Sequence, residues 1–317
     1  MNSLLPRGMA LHLVLLLAMV PASSSFATTS EGKQADTVAA AGLNWRSLEL
    51  QDSGLTGSVT TRIELGTYPE AEVQSVLVDA PDTVSQRAAG TRLVELGVAS
   101  SIRSLPGVRI ENQTRLWFNA DDGLPIQLMR LRLGSKPSQK LYRFGSRQVY
   151  RQRRQPADKA EREQPAGHWR EVSEAYYPLP GQDEACPIIL ESSQLLYVLS
   201  RQDTVLSESG GEFCVFDRKQ VYRVGFRVLG REPLAVDYLQ LGDNQETRVK
   251  RTLQASRVAL TSRPLEGAAG DMQPFSFLGL DDDIELLLSE PGRIPLRIRG
   301  QVSGFGTIDL ELKKLAR

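Results

Sequence analysis

Ile284-Glu-Leu-Leu-Leu-Ser-Glu-Pro-Gly-Arg-Ile-Pro-Leu-Arg-Ile-Arg-Gly300 is the stretch from which the chain is read. An apolar run meets a Glu-Pro-Gly turn, then a proline, then a returning run. Proline costs a strand least at its first position, where the missing N–H is not needed, so Pro295 marks the start of the return. A weaker copy lies upstream: Leu116-Trp-Phe-Asn-Ala-Asp-Asp-Gly-Leu-Pro-Ile-Gln-Leu-Met-Arg-Leu131, with Pro125 in the matching place. Both read as strand, turn and antiparallel strand.

Alternation extends this outward. In Ser58–Leu65 the residues Val59, Thr61, Ile63 and Leu65 share one face, and Tyr222, Val224, Phe226 and Val228 do the same further on. Ile308, Leu310 and Leu312 alternate with Thr307, Asp309 and Glu311. Lys140–Phe144 and Gln148–Arg151 flank Gly145-Ser146 as another pair; Phe213–Phe216 and Thr247–Leu260 add further strands. Val73–Val78 reads as a strand stopped by Ala80-Pro81, and residues 85–105 fit either a short helix or irregular strands. Pro187–Arg201 is the helix of the chain, with Ile189, Leu196 and Leu199 at helical spacing beside Ser192 and Leu195, and Pro187 at the first helical position. The expected fold is mainly β: a curved antiparallel sheet or open barrel packed on one principal helix at about 187–201. Residues 43–317 form one large domain, or two lobes, 43–135 and 136–317. Within it, 151–166 is nearly all charged or polar and bracketed by prolines, an exposed loop.

The start of the chain reads as an export signal. Arg7 precedes an apolar run from Met9 to Val20, and Ser25-Phe-Ala27 fits small-x-small cleavage after Ala27. Residues 1–27 are thus a signal peptide and 28–42 a flexible lead-in, which places the protein in the periplasm of a Gram-negative cell, soluble once cleaved. Lys+Arg and Asp+Glu are both 38, so no strong field draws nucleic acid. Cys186 and Cys214 are the two cysteines, and in an oxidising compartment they are expected to pair, pinning the helix to the strand of Cys214.

From Tyr177 onward the order of short motifs resembles a known group. Ser192-Ser-Gln-Leu-Leu-Tyr-Val-Leu-Ser-Arg201 is followed by Phe213-Cys-Val-Phe-Asp217, then Tyr222 and Val224, then the Gly292-Arg-Ile-Pro-Leu-Arg-Ile298 stretch and Gly306-Thr-Ile-Asp-Leu310. The pattern is similar to exported bacterial proteins of domain-of-unknown-function family 3108. The resemblance implies a β-rich exported domain and carries no catalytic residue. A weaker, fold-level similarity is to periplasmic lipoprotein-localisation carriers, which hold acyl chains between a curved sheet and a helical lid.

Site chemistry is sparse. His168 is the one histidine beyond residue 27 and reads as a surface residue beside Trp169. No nucleophile elbow, Walker loop or zinc-helix motif is present, so no enzyme activity, cofactor or metal is expected. Asp121-Asp122 and Asp281-Asp-Asp283 lie at turns, where aspartate bonds its own backbone. Placed on one strand, Arg143, Arg147, Arg151 and Arg153 share a face and would contact an anion; the plainer reading is a solvated loop neutralised by Asp158, Glu161, Glu163 and Glu171. Trp117, Ile189, Leu196, Tyr222 and Phe226 are candidate lining of an apolar cavity, or simply a filled core. Three roles follow: a non-catalytic envelope module binding an apolar or amphiphilic ligand or a partner protein in a concavity, an assembly factor with a filled core, or an envelope-polymer hydrolase.

Overall fold

A computed structural model describes residues 42–54, 57–81, 92–104, 108–180, 186–242, 245–265 and 274–317. These lie in one unit, Val38–Arg317. The expected signal peptide, nearly all of the expected lead-in, and residues 85–91 and 105 of the undecided stretch lie outside the described residues.

The chain begins with β1 (Ser47–Gly54), β2 (Gly57–Pro69), helix α1 (Glu70–Val76), β3 (Arg92–Ser104), β4 (Val108–Asn119), β5 (Pro125–Leu133), β6 (Ser138–Phe144) and β7 (Gln148–Gln155). Helix α2 (Lys159–Arg162), a 3-10 turn at Ala166–His168, β8 (Glu171–Pro178), β9 (Ile189–Glu191) and helix α3 (Gln194–Ser200) follow. The remainder is β10 (Gly211–Asp217), β11 (Gln220–Leu241), β12 (Glu246–Pro264), β13 (Asp282–Glu290), β14 (Pro295–Val302) and β15 (Gly306–Ala316). All fifteen strands belong to one sheet, in the order β8-β7-β6-β5-β4-β3-β2-β1-β15-β14-β13-β12-β11-β10-β9. β15 runs past the end of β14, and its Lys314–Ala316 take up Leu239–Leu241 of β11 in parallel. That pairing closes β11 to β15 into a ring, so the fold is a curled, partly closed β sheet, as the alternation predicts.

The two quoted stretches form the same hairpin twice. Phe118 faces Pro125 and Leu288 faces Pro295, each beside a register shift. The Asn119 N–H donates to the Leu124 carbonyl at 3.0 Å, and the Ser289 N–H to the Ile294 carbonyl at 2.9 Å. The left-handed position falls on Gly123 (φ 70°) in one turn and on Arg293 (φ 49°) in the other. These turns grip opposite ends of α3. Gln194 Nε2 donates to the Gly123 carbonyl at 2.7 Å. Arg293 Nη1 donates to the Arg201 carbonyl at 2.5 Å and to the Thr204 carbonyl, satisfying acceptors just past the helix C-terminus.

The inner sheet face and α3 make one apolar core, including Leu96, Leu116, Phe118, Leu128, Phe144, Leu195, Leu199, Phe216 and Leu286. Phe118 meets Tyr197 edge-on at 4.9 Å. A small outer cluster packs α1 by Val73 against Leu93, Trp117 and Ile126.

Three expectations need correction. The helix is shorter than 187–201: Ile189–Glu191 is a strand parallel to Cys214–Phe216 of β10, and only Gln194–Ser200 is helical. β-branched Ile188 and Ile189 favour that extended geometry. Residues 73–76 of the expected Val73–Val78 strand lie instead in helix α1, because Glu70-Ala-Glu-Val-Gln-Ser-Val supplies good helix formers and sets Val73 and Val76 three apart. The charged loop is also not a loop throughout. Residues 151–155 belong to β7, and Asp158 caps α2, its Oδ1 accepting the Glu161 N–H at 2.9 Å. Glu161 is buried and accepts the backbone N–H groups of Ala157 and Arg170, with the Arg170 guanidinium; these donors pull its carboxyl down to about 2. Trp169 is buried beneath, its Nε1 donating to the Glu161 carbonyl at 2.8 Å.

Cys186 and Cys214 are bonded, with Cα atoms 5.6 Å apart. The bridge ties the segment entering β9 to β10, and so acts on α3 through β9 rather than on the helix directly. Replacing both cysteines with alanine should lower unfolding free energy by about 3–4 kcal/mol on the loop-entropy argument. Urea denaturation of a protein spanning residues 28–317 checks it; a loss under about 1 kcal/mol would mean that the β9–β10 pairing holds without the bridge.

Candidate functional site

β5 rises from the Pro125 turn, and its antiparallel register with β6 and β7 builds a transverse row. Arg130 lies opposite Lys140, and Lys140 opposite Arg153. Directly paired residues share a sheet face about 4.8 Å apart, where like charges destabilise. The row therefore needs anions, and they come from a distant part of the chain. Arg130 Nη2 reaches Glu191 Oε1 of β9 at 2.5 Å and Asp217 Oδ1 of β10 at 3.2 Å. Both carboxylates are fully buried. Glu191 also accepts the Ser193 N–H at 2.9 Å, the Ser193 hydroxyl and the Ser192 hydroxyl at 3.1 Å. Asp217 Oδ2 accepts the Ser276 N–H at 3.1 Å and has Arg218 Nε 3.7 Å away. Burial raises the Asp217 carboxyl above its usual range and the Glu191 charge adds to this, while Arg130 pulls it back.

Among the described residues, only the first cation of the row has an ion-pair partner. Burial, then the guanidinium groups of Arg130, Arg153, Arg151 and Arg218, push the Lys140 ammonium down to about 8. The buried Arg153 Nε finds no hydrogen-bond partner among the described residues. The two residues face a cavity of about 460 Å³. Part of its lining is basic: Arg130, Arg132, Lys136, Lys140, Arg153 and Arg218, with Asp217 the one acid. Apolar side chains also line the cavity: Val59 of β2, Val98 and Ile102 of β3, Val302, Phe305, Ile308 and Leu310, with the Thr61 and Ser100 hydroxyls among them. Arg132 and Lys136 are exposed at its rim. A cavity of this size, lined by both apolar and cationic side chains, suits an amphiphile with an anionic end.

Of the arginines expected to share one strand face, Arg151 and Arg153 do so on β7. Arg153 lines the cavity, and Arg151 lies over the Tyr177 ring at 5.8 Å. Arg143 sits on β6, buried toward the other face with its Nη1 3.4 Å from Gln127 Oε1, and burial lowers it. Arg147 is exposed in the turn between β6 and β7. The turn at residues 145–147 resets the alternation, so odd numbering does not carry across it. Nor do Asp158 and Glu161 neutralise the β7 arginines; both pair with Arg170.

Trp117 is in the outer cluster, and Ile189, Leu196, Tyr222 and Phe226 are in the main core, all buried and none on the cavity wall. Leu124 N–H donates to Asp122 Oδ1 at 2.8 Å and Asp281 pairs with Arg218 at 3.2 Å. Those carboxylates do turn and ion-pair work. His168 is exposed, and among the described residues no group of three or more His, Cys, Asp or Glu is placed to hold a metal. No described helix is long and apolar enough to cross a membrane. Sequence reading missed Arg130, Lys140, Glu191 and Asp217, which are isolated charges until the register brings them together.

No protein-family model matches the chain, and no curated protein matches it either. One solved structure is similar in fold: a beta-barrel-like protein of domain of unknown function 1849 from Brucella abortus, 10% identical, with a TM-score of 0.43, over 87% of this chain and 98% of that one.

Arg130→Met should cost about 3–5 kcal/mol at neutral pH, because it strands two buried carboxylates. Asp217, raised in the folded state, favours folding in its protonated form, so the loss should shrink as pH falls toward its carboxyl range; denaturation at pH 7 and pH 4.5 measures both. Lys140→Gln should instead raise stability at pH 7 by about 1 kcal/mol, with allowance for solvent screening. A lysine lowered from 10.5 to about 8 weighs against folding while charged, so that advantage should fade between those two pH values.

Proposed function

We propose that this protein is a non-catalytic binding protein of the bacterial envelope that holds an amphiphile with an anionic end in the cavity between β2–β3 and β5–β7. The observation that carries this reading is the wall composition. Lys140 and Arg153 face a cavity that Val59, Val98 and Ile308 also line, and among the described residues neither has a carboxylate partner. A filled structural core gains nothing from two half-buried, uncompensated cations. A site for an anion gains both attraction and orientation from them.

The proposed place of action is the periplasm, after cleavage following Ala27. The Cys186–Cys214 bond supports an oxidising compartment, as does the signal-like start of the sequence. The order of motifs from Tyr177 onward supports kinship with family 3108, whose exported, β-rich character agrees with this role.

Binding of an 18-carbon fluorescent fatty acid to the purified mature protein tests the reading, together with mass spectrometry of its organic extract. We expect saturable binding, at least tenfold weaker for the methyl ester. Ser100→Trp, which fills the cavity from β3, should abolish it while leaving the circular dichroism spectrum unchanged. Binding that survives Ser100→Trp, or no binding at all, would remove the carrier reading in favour of an assembly factor.

A further inference from the structure

Carboxylate and phosphate amphiphiles place different demands on a site, and the cationic row distinguishes them. Lys140 and Arg153 stand directly opposite each other on adjacent strands. Their neighbour Arg130 is already committed to Glu191 and Asp217, and Arg218 to Asp217 and Asp281. What remains is a two-cation clamp: a compact ammonium beside a guanidinium fork whose buried Nε has no hydrogen-bond partner among the described residues. One carboxylate brings one charge and two oxygens. A phosphate monoester brings up to two charges and three terminal oxygens, enough to engage both cations at once. The exposed Arg132 and Lys136 at the rim prolong the positive path outward.

We propose that the ligand's anionic end is a phosphate group, clamped between Lys140 and Arg153 with its chain laid along Val59, Val98 and Ile308. This rests on the binding-protein reading above and adds the headgroup class to it. The same chemistry occurs in free phosphate; the apolar lining selects the lipid form.

The test compares myristic acid, a lysophosphatidic acid with the same 14-carbon chain, and inorganic phosphate, by isothermal titration to the mature protein at pH 7. The phospholipid should bind at least tenfold tighter than the fatty acid, and phosphate alone at least a hundredfold more weakly than the phospholipid. Lys140→Gln and Arg153→Gln should each weaken the phospholipid far more than the fatty acid and so bring the two to within threefold of each other. In the wild-type complex the phosphorus resonance should titrate below the free ester's value of roughly 6. Equal binding of the two lipids, insensitivity to both substitutions, or an unshifted phosphorus titration would overturn the headgroup assignment and leave the carrier reading standing. Phosphate binding as tightly as the phospholipid would keep the clamp and remove the lipid. Absence of binding by either lipid would remove the carrier reading itself.

Discussion

A single guanidinium joins parts of the sheet that are far apart in strand order. Arg130 on β5 crosses the interior to Glu191 on β9 and Asp217 on β10, two carboxylates with almost no exposure. The sheet order separates β5 from β9 by ten intervening strands. Only a sheet that curls back on itself can bring them into ion-pair distance. Buried charges are expensive to desolvate, so the cluster is tolerated only where every oxygen finds a donor, and Ser192, Ser193 and Ser276 supply the remainder. Its geometry thus sets how far the sheet may curl, and with it the width of the cavity beside Arg130.

Helix α3 is the object around which the curl is wrapped. It is only seven residues long, too short to be stable alone, and nearly every side chain on it is buried. Its two ends are held by copies of one hairpin turn, Gly123 at the start and Arg293 just past the finish. The turns share strand register, hydrogen bonds and the left-handed position. They differ in how they reach the helix: one offers a backbone carbonyl, the other a guanidinium. The disulfide supports the same region from the third side, by fixing β9, which leads into the helix.

Against this well-satisfied scaffold the Lys140–Arg153 pair stands out. Several other charged residues are matched within the fold: Arg297 with Asp309 and Glu311, Arg248 with Asp237, Arg170 with Glu161. In the cationic row the matching stops after the first member. Local destabilisation of this kind concentrates where a protein must accept something from outside, because a site saturated by its own side chains has nothing left to offer a ligand.

Strand alternation, the twin Pro-containing hairpins and the paired cysteines follow from period and chemistry along the chain, and those were legible without coordinates. Local signals also located α3, although Ile189–Glu191 of the expected helix is strand, since that segment satisfies either pattern until β10 is there to pair with it. The cationic row was not legible. Arg130, Lys140 and Arg153 are separated by turns whose lengths decide the register, and a slip of one residue would turn each of them to the opposite face. Counting odd-numbered arginines across residues 145–147 therefore joined Arg143 to residues that face away from it. Short-range pattern determined most of the strands and which two sulfurs meet. Only the tertiary structure, through register and curl, decided which charges share an interior and which of them are left without a partner, because those relations depend on distances between strands and not on spacing within one.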